Sequence, residues 1–291
     1  MKPSLDSTIK ELLTQKLIDL ETYLNADIFT YYGKIENGIE IFINNLIEEI
    51  SIDTNPKKDK LVVILTTSGG SAFAVERWVN ILRQHYKVVD FIVPNYAYSA
   101  GTIFCMSGDN ILMDYVSVLG PIDPQVQNKD GNWVAALGYL DKVNEAIEKS
   151  KNKTITEVEY LMVKDLDLAE LRSYEQAKEL AVDLLKKWLV KYKFKNWDLH
   201  KSTPQLIDKP VTLDEKKQRA EFIAEKLSDN AIWKSHGRPI NIESLRDLKL
   251  KIDNFSEDSK LKELIGSYYE MLMDYIIANK IEKFVHTRKF I

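Results

Sequence analysis

The spacing of apolar residues predicts an α/β protein in the first half of the chain. Short runs rich in apolar residues lie at Asp27–Tyr32, Leu61–Leu65, Val88–Val93, Ile111–Met113 and Val116–Leu119. Most of the segments between the first three repeat apolar residues every three or four positions, as on one face of a helix. Leu61–Leu65 is apolar throughout, which is typical of a parallel strand covered on both faces. The alternation therefore predicts βαβ units with right-handed crossovers.

Beyond about residue 165 the pattern becomes nearly all helical. Thr212 with Glu215 three positions later is the signature of a capping box at a helix start. Helical spacing also predicts an N-terminal helix over residues 7–25. We therefore predict three parts: an N-terminal helix in 1–26, an α/β core in 27–165 and a helical C-terminal region in 166–291. The last would serve in assembly or as a lid.

Composition narrows the function classes. The 291 residues are 45% hydrophobic and 29% charged, which is ordinary for a soluble globular protein, and a net charge of −4 disfavours a general nucleic-acid binder. The single cysteine, Cys105, excludes an internal disulfide and favours a reducing compartment. The N-terminal stretch lacks the apolar core of a signal peptide, and no run reaches the roughly 18 apolar residues of a membrane span. We expect a cytoplasmic protein that reaches a membrane only through partners.

Motifs for cofactors and metals are absent from the sequence. It has no phosphate-binding P-loop, no G-x-G-x-x-G after a strand and no Cys/His cluster with zinc spacing. The prediction is therefore a protein with no cofactor and no metal site.

Two strand-to-loop junctions carry residues suited to acyl chemistry. One predicted strand leads to Gly69-Gly70, and the next leads to Ser99, at the start of a small-residue helix with Ala100. In a parallel sheet both strand ends face the same crevice. The N–H groups of Gly70 and Ala100 could hold an oxyanion there, and Ser99 could act as a nucleophile. The structural alternatives are an ordinary N-cap serine and a tight glycine turn.

Over Leu61–Val126 the sequence resembles the Clp protease/crotonase superfamily, most closely its signal peptide peptidase A-like and serine dehydrogenase proteinase branch. The residues that carry the resemblance are Ser68-Gly69-Gly70, Tyr98-Ser99-Ala100-Gly101-Thr102, Ser107-Gly108 and Gly120-Pro121-Ile122-Asp123-Pro124-Gln125. The resemblance implies a Clp/crotonase-like spiral of βαβ units and a homo-oligomer. It also implies Ser99 as the nucleophile and an oxyanion hole at Gly69, Gly70 and Ala100.

The general base is less apparent. The signal peptide peptidase A-like branch pairs its serine with a lysine on a later helix, and Lys142 matches that position. A lysine base has to be partly desolvated, which Leu140 and Val143 could provide. The competing lysines nearby are Lys129, Lys149, Lys151 and Lys153.

Histidine is the alternative base. Clp proteases place a histidine at the end of the strand after the serine, but this chain has Asp123 there, and its four histidines lie at 85, 200, 236 and 286. His236, in a turn, becomes the alternative if the C-terminal region folds back over the crevice. Asp123 would either rigidify its proline-rich loop or orient a base.

These observations predict an ATP-independent serine peptidase acting on peptide or protein substrates, with Ser99 as nucleophile and Lys142 as base. A catalytically inactive scaffold that binds peptides or partner proteins is the alternative, with Ser99 as an N-cap. A CoA-thioester enzyme of the crotonase type fits less well, because no pair of glutamates accompanies the two junctions.

Overall fold

The computed structural model describes residues 4–53, 57–127, 133–164, 166–201 and 204–291. The strands in these ranges are β1 (Asp27–Tyr32), β2 (Lys60–Thr66), β3 (Val88–Ile92), β4 (Tyr96–Ala97), β5 (Asn110–Met113), β6 (Val118–Leu119), β7 (Gln125–Gln127), β8 (Trp133–Ala135), β9 (Asp253–Asn254) and β10 (Phe284–His286).

The α-helices in the same ranges are α1 (Leu5–Leu24), α2 (Glu40–Ile52), α3 (Ala72–His85), α4 (Ala100–Cys105), α5 (Ala136–Lys151), α6 (Glu157–Lys164), α7 (Leu168–Trp188), α8 (Leu213–Ser228), α9 (Asn230–Trp233), α10 (Ile242–Asp247) and α11 (Ser259–Ala278). A π-helical turn, Leu189–Lys193, continues α7, and a 3-10 turn, Phe255–Glu257, precedes α11. The predicted capping box at Thr212 and Glu215 is present at the start of α8.

A six-stranded sheet in the order β10-β1-β2-β3-β5-β9 forms the centre of the described chain. Its strands pair in parallel except β10, which is antiparallel to β1. The α/β fold class with a parallel-dominated sheet is therefore confirmed.

Strand β2 shows why the sheet needs two covering layers. Val63 and Leu65 belong to the larger core cluster with residues of α2, α3 and α4, whereas Val62 and Ile64 belong to a second cluster with α1 and α11. All four side chains are at most 1% exposed. The uninterrupted apolar run thus reflects burial on both faces, as predicted.

The C-terminal region contributes strands that the sequence did not reveal. Within the predicted helical region, β9 adds to one edge of the sheet beside β5, and β10 adds to the other edge beside β1. Elements of two and three residues are too short to display a period of two. The helix predicted from Trp133 also begins later, at Ala136, because 133–135 form the second strand of a hairpin with β7.

None of the described helices is long and apolar enough to cross a membrane.

His286 in β10 is a buried histidine that contacts both α1 and α11. It is fully buried, with Nδ1 2.9 Å from the Tyr268 hydroxyl and Nε2 3.3 Å from Thr14 Oγ1. Burial lowers the pKa of His286 to about 3. Its neutral form is therefore the one that the folded state accommodates.

We predict that this histidine makes the free energy of unfolding decrease in acid. An unfolded histidine has a pKa of about 6.5, so as the pH falls from there towards 3 the unfolded state binds a proton that the folded state rejects. Stability is retained above about pH 6.5 and falls below it by up to about 1.4 kcal/mol per pH unit. Urea denaturation of the wild type and His286→Gln across this range should show a shallower pH dependence for the variant. Parallel curves would contradict the assignment.

Candidate active site

Ser99 occupies the N-cap position of α4 in a strained backbone conformation. Its φ of 54° and ψ of −116° lie outside the regions that non-glycine residues favour. The side chain makes no capping hydrogen bond, and no other described residue is hydrogen-bonded to its hydroxyl. The N-cap alternative therefore lacks the contact that defines it. Strain of this kind is characteristic of functional residues, including nucleophiles on sharp strand-to-helix turns.

The Gly69-Gly70 turn packs directly against Ser99. Both glycines have positive φ, 106° and 140°. A Cβ atom added to Gly69 would lie 2.8 Å from Ser99 Cβ and 2.9 Å from the carbonyl oxygen of Tyr98. One added to Gly70 would lie 2.0 Å from the carbonyl oxygen of Ile35. The two junctions thus meet, as their positions at neighbouring strand ends predicted.

The backbone N–H groups around Ser99 differ in whether they already donate a hydrogen bond to a described residue. The N–H of Gly69 donates to Thr67 Oγ1 at 3.0 Å, so it belongs to the turn itself. In the described part of the chain the N–H groups of Gly70 and Ala100 donate to no acceptor. These two groups remain suited to an oxyanion, whereas Gly69 supplies space rather than a donor.

Asp123 and His236, 113 residues apart in the chain, form a pair. Asp123 Oδ1 lies 3.0 Å from His236 Nδ1. The carboxylate is 1% exposed and the imidazole side chain 14% exposed. The second carboxylate oxygen of Asp123 is buried without a partner among the described residues. The carboxylate engages Nδ1 and leaves Nε2 of His236 for another group, which is the orientation that a general base requires.

Backbone hydrogen bonds hold this pair next to the Ser99 segment. Strand β4, which leads into Ser99, pairs in parallel with β6, which leads towards Asp123. On its other side, β6 is joined to Ile240 by two hydrogen bonds between Leu119 and Ile240, of 3.0 and 2.9 Å. Ile240 follows His236 by four residues, so its bridge anchors the histidine turn beside the same edge.

Side-chain contacts fix the loop after β6. Thr102 Oγ1 of α4 donates to the Gly120 carbonyl at 2.8 Å and accepts from the Gly120 N–H at 3.0 Å. A Cβ on Gly120 would lie 2.4 Å from Tyr98 Cδ1. The loop that carries Asp123 is thereby held against the residues on both sides of Ser99.

Lys142 lies in a different environment from the one expected for a lysine base. Its side chain on α5 is 76% exposed, and Nζ pairs with Glu145 at 2.7 Å. Of the competing lysines, Lys149 pairs with Glu145 and Glu159, which raise its pKa. Lys151 pairs with Glu148 at 2.7 Å. These exposed or partly exposed side chains, each paired with a carboxylate, lack the desolvated surroundings that a lysine base requires. Lys129 lies outside the described residues.

Sequence comparison places residues 38–219, well over half of the chain, in a family model described as ClpP-like SDH-type serine proteinase. The chain belongs to this family. The matched segment contains Ser99, the glycine turn and Asp123 but ends before His236.

Two similar proteins come from Methanocaldococcus jannaschii, and both are uncharacterised. MJ1495 is 29% identical over 247 residues, covering 85% of this chain and 67% of that protein. MJ0137 is 30% identical over 136 residues, covering 43% of this chain and 48%, about half, of that protein. Among solved structures, ClpP1 from Listeria monocytogenes is 12% identical with a TM-score of 0.42, over 83% of this chain and 95% of its own.

The sequence contained only part of the information that would predict the Asp123–His236 pair. Asp123 stands where a Clp protease has its histidine, and His236 occurs in a turn far downstream. Nothing in the local patterns indicated that the two touch. The pairing depends on the Leu119–Ile240 bridge, a long-range contact.

We predict that Gly69→Ala abolishes reaction at Ser99. The added methyl would lie 2.8 Å from Ser99 Cβ and would displace the serine or the turn. Labelling of the folded protein by a fluorophosphonate measures the effect.

Gly38→Ala is the matched control. Gly38 has a similar φ of 101°, but a Cβ there meets nothing within 4 Å. Gly38→Ala therefore has the same free-energy cost of placing alanine at a positive φ, about 1 kcal/mol or more, but its methyl group meets no neighbouring atom. It should label like the wild type. Equal labelling of Gly69→Ala and Gly38→Ala would show that the turn does not constrain the serine.

Proposed function

We propose that the protein is a serine peptidase in which Ser99 is the nucleophile, His236 the general base and Asp123 the residue that orients the histidine. The observation that carries the proposal is the 3.0 Å pairing of the buried Asp123 carboxylate with His236 Nδ1. Membership of a serine proteinase family supports the reaction class. The strained, uncapped Ser99 supports the choice of nucleophile.

The chemistry follows from these positions. His236 Nε2 takes the proton of the Ser99 hydroxyl while the serine oxygen attacks the peptide carbonyl. The N–H groups of Gly70 and Ala100 stabilise the oxyanion that forms. His236 then returns the proton to the leaving amine, and water hydrolyses the acyl-enzyme by the same route in reverse. Ser99 and His236 are not hydrogen-bonded to each other in the structure, and catalytic hydrogen bonds of this kind often tighten only when substrate is bound.

Burial and the identity of the paired residue favour His236 over Lys142 as the general base. Lys142 is 76% exposed and paired with a carboxylate, whereas a lysine that acts as a base has to be desolvated. His236 is mostly buried and already oriented by an acid. Homo-oligomeric assembly, a cytoplasmic location and membrane attachment through partners stay predictions from the sequence.

Single substitutions of Ser99 and of each candidate base test which residues act as nucleophile and general base. Ser99→Ala should lose peptide hydrolysis and fluorophosphonate labelling completely. His236→Gln should lower kcat by about 10²–10⁴-fold, the usual contribution of a general base. Lys142→Gln, which removes only a solvated ion pair, should retain wild-type kcat. A loss of activity in Lys142→Gln with retention in His236→Gln would assign the base to the lysine instead.

Asp123→Asn tests the orienting role. The amide is isosteric but no longer an anion, so it should leave His236 poorly oriented and lower kcat by about 10²-fold or more with little change in KM. Circular dichroism would check that the variant is folded. A folded wild type that neither hydrolyses peptides nor labels at Ser99 would favour the inactive scaffold. A wild-type kcat in Asp123→Asn would remove Asp123 from the mechanism.

A further inference from the structure

A large cleft lies away from the candidate active site, on the C-terminal helical region. Its volume is about 1090 Å³, and its lining runs from Tyr192 to Lys201 and over part of α8. Asp109 and Asn110, at the amino end of β5, form part of the floor. Ser99 follows the carboxyl end of a neighbouring parallel strand, so the cleft faces the opposite edge of the sheet. It therefore has no part in the proposed peptidase mechanism.

The described lining of the cleft has an excess of positive charge. The basic lining residues are Lys193, Lys195, Lys201, Arg219, Lys249 and Lys251, and the acidic ones are Asp109, Asp198 and Glu215. The cleft is thus basic in a chain whose net charge is −4. A basic cleft on a protein of negative net charge attracts anions locally.

Each of the three acids is already paired. Asp109 pairs with Arg83 at 2.7 Å and also with Lys195. Glu215 accepts from the backbone N–H and the hydroxyl of Thr212, both at 2.8 Å, within the capping box. Asp198 lies 3.7 Å from a lysine of α8. Among the described residues, none of these three acids forms an ion pair with Lys201, Arg219 or Lys249.

Several of the cations lack such a partner. Within the described residues, Lys201, Arg219 and Lys249 take part in no ion pair. Lys193, in the π-helical turn, forms no ion pair with a described residue, and its hydrogen bond to the carbonyl oxygen of Asp109 is 3.4 Å long. Burial lowers the pKa of Lys193 to about 8. A partly desolvated ammonium with one long hydrogen bond would gain strongly from an anion in the cleft.

Aromatic rings accompany the charges. Phe194, Trp197 and His200 form a chain of edge-on contacts, with ring centroids 5.6 and 5.8 Å apart. Phe222 is 40% exposed, with the Arg219 guanidinium 5.6 Å from its ring centroid. The cleft thus offers apolar, planar surfaces beside its cations, which suit a ligand that has both an anionic and an aromatic part.

We propose that this cleft binds a nucleoside polyphosphate, with its phosphate groups paired to Lys193, Arg219 and Lys249 and its base against the aromatic side chains. The volume of the cleft, about 1090 Å³, lies near the upper end of the range found for small-ligand pockets. A nucleic acid or an extended acidic peptide would instead require a basic stripe along the surface. The proposal does not depend on the peptidase assignment, because none of its residues belongs to that site.

Isothermal titration of the full chain tests the proposal. ATP, ADP, pyrophosphate, inorganic phosphate and adenosine are titrated in the presence of EDTA. Affinity should rise with the number of phosphates, and ATP should bind more tightly than pyrophosphate because its base adds contacts. Lys249→Glu and Arg219→Glu should each weaken ATP binding by about tenfold or more, since each removes a charged partner. Lys178→Glu, an exposed lysine of α7 outside the lining, should bind ATP like the wild type.

The outcomes are decisive in either direction. Lys193→Met should also weaken binding, and Lys249→Glu and Arg219→Glu carry the test if that buried substitution prevents folding. Absence of binding by every phosphate compound, or equal ATP affinity in Lys249→Glu and Lys178→Glu, would overturn the proposal. Tighter binding of a single-stranded oligonucleotide or of polyglutamate than of ATP would also overturn it. Fluorophosphonate labelling of Ser99 in each variant reports separately on the active site.

Discussion

Backbone hydrogen bonding between four short segments is the interaction on which the candidate active site depends. Thr67 bonds to β4 on one side, through its N–H to Tyr96 and its carbonyl to Tyr98. Strand β4 pairs with β6, and β6 with Ile240. Each segment lies within four residues of one part of the candidate site: the glycine turn, Ser99, Asp123 or His236. Because these hydrogen bonds fix the segments relative to one another, they also fix the relative positions of the candidate site residues.

The main sheet makes this arrangement possible. Parallel pairing of β2 with β3, with Val62 opposite Asp90, sets the heights at which the two strands end. Gly69 and Ser99 then come into contact only because Gly69 has no side chain and tolerates a positive φ. Burial of β2 on both faces stabilises the fold, and this stability offsets the free-energy cost of the strained backbone at Ser99.

The proximity of the glycine turn to the Ser99 segment could be predicted from the sequence, but the pairing of Asp123 with His236 could not. Ser99 and Gly70 lie at neighbouring strand ends, and strand order in a βαβ unit is a local property. Lys142 satisfied the expected spacing along the chain, yet spacing says nothing about solvation, and the lysine is exposed beside Glu145. The sequence left Asp123 and His236 as separate alternatives, and the fold brings them to 3.0 Å.

By itself, the sequence determined the α/β class, the parallel strands and the two junctions, because each follows from short-range periodicity and turn chemistry. Tertiary structure alone decided that His236 pairs with Asp123, where β9 and β10 join the sheet, and which basic side chains line one cleft with Lys193. The physical reason is the same in each case. Contacts between residues a hundred positions apart arise from packing and hydrogen bonding between elements, which leave no periodic trace in the order of the residues.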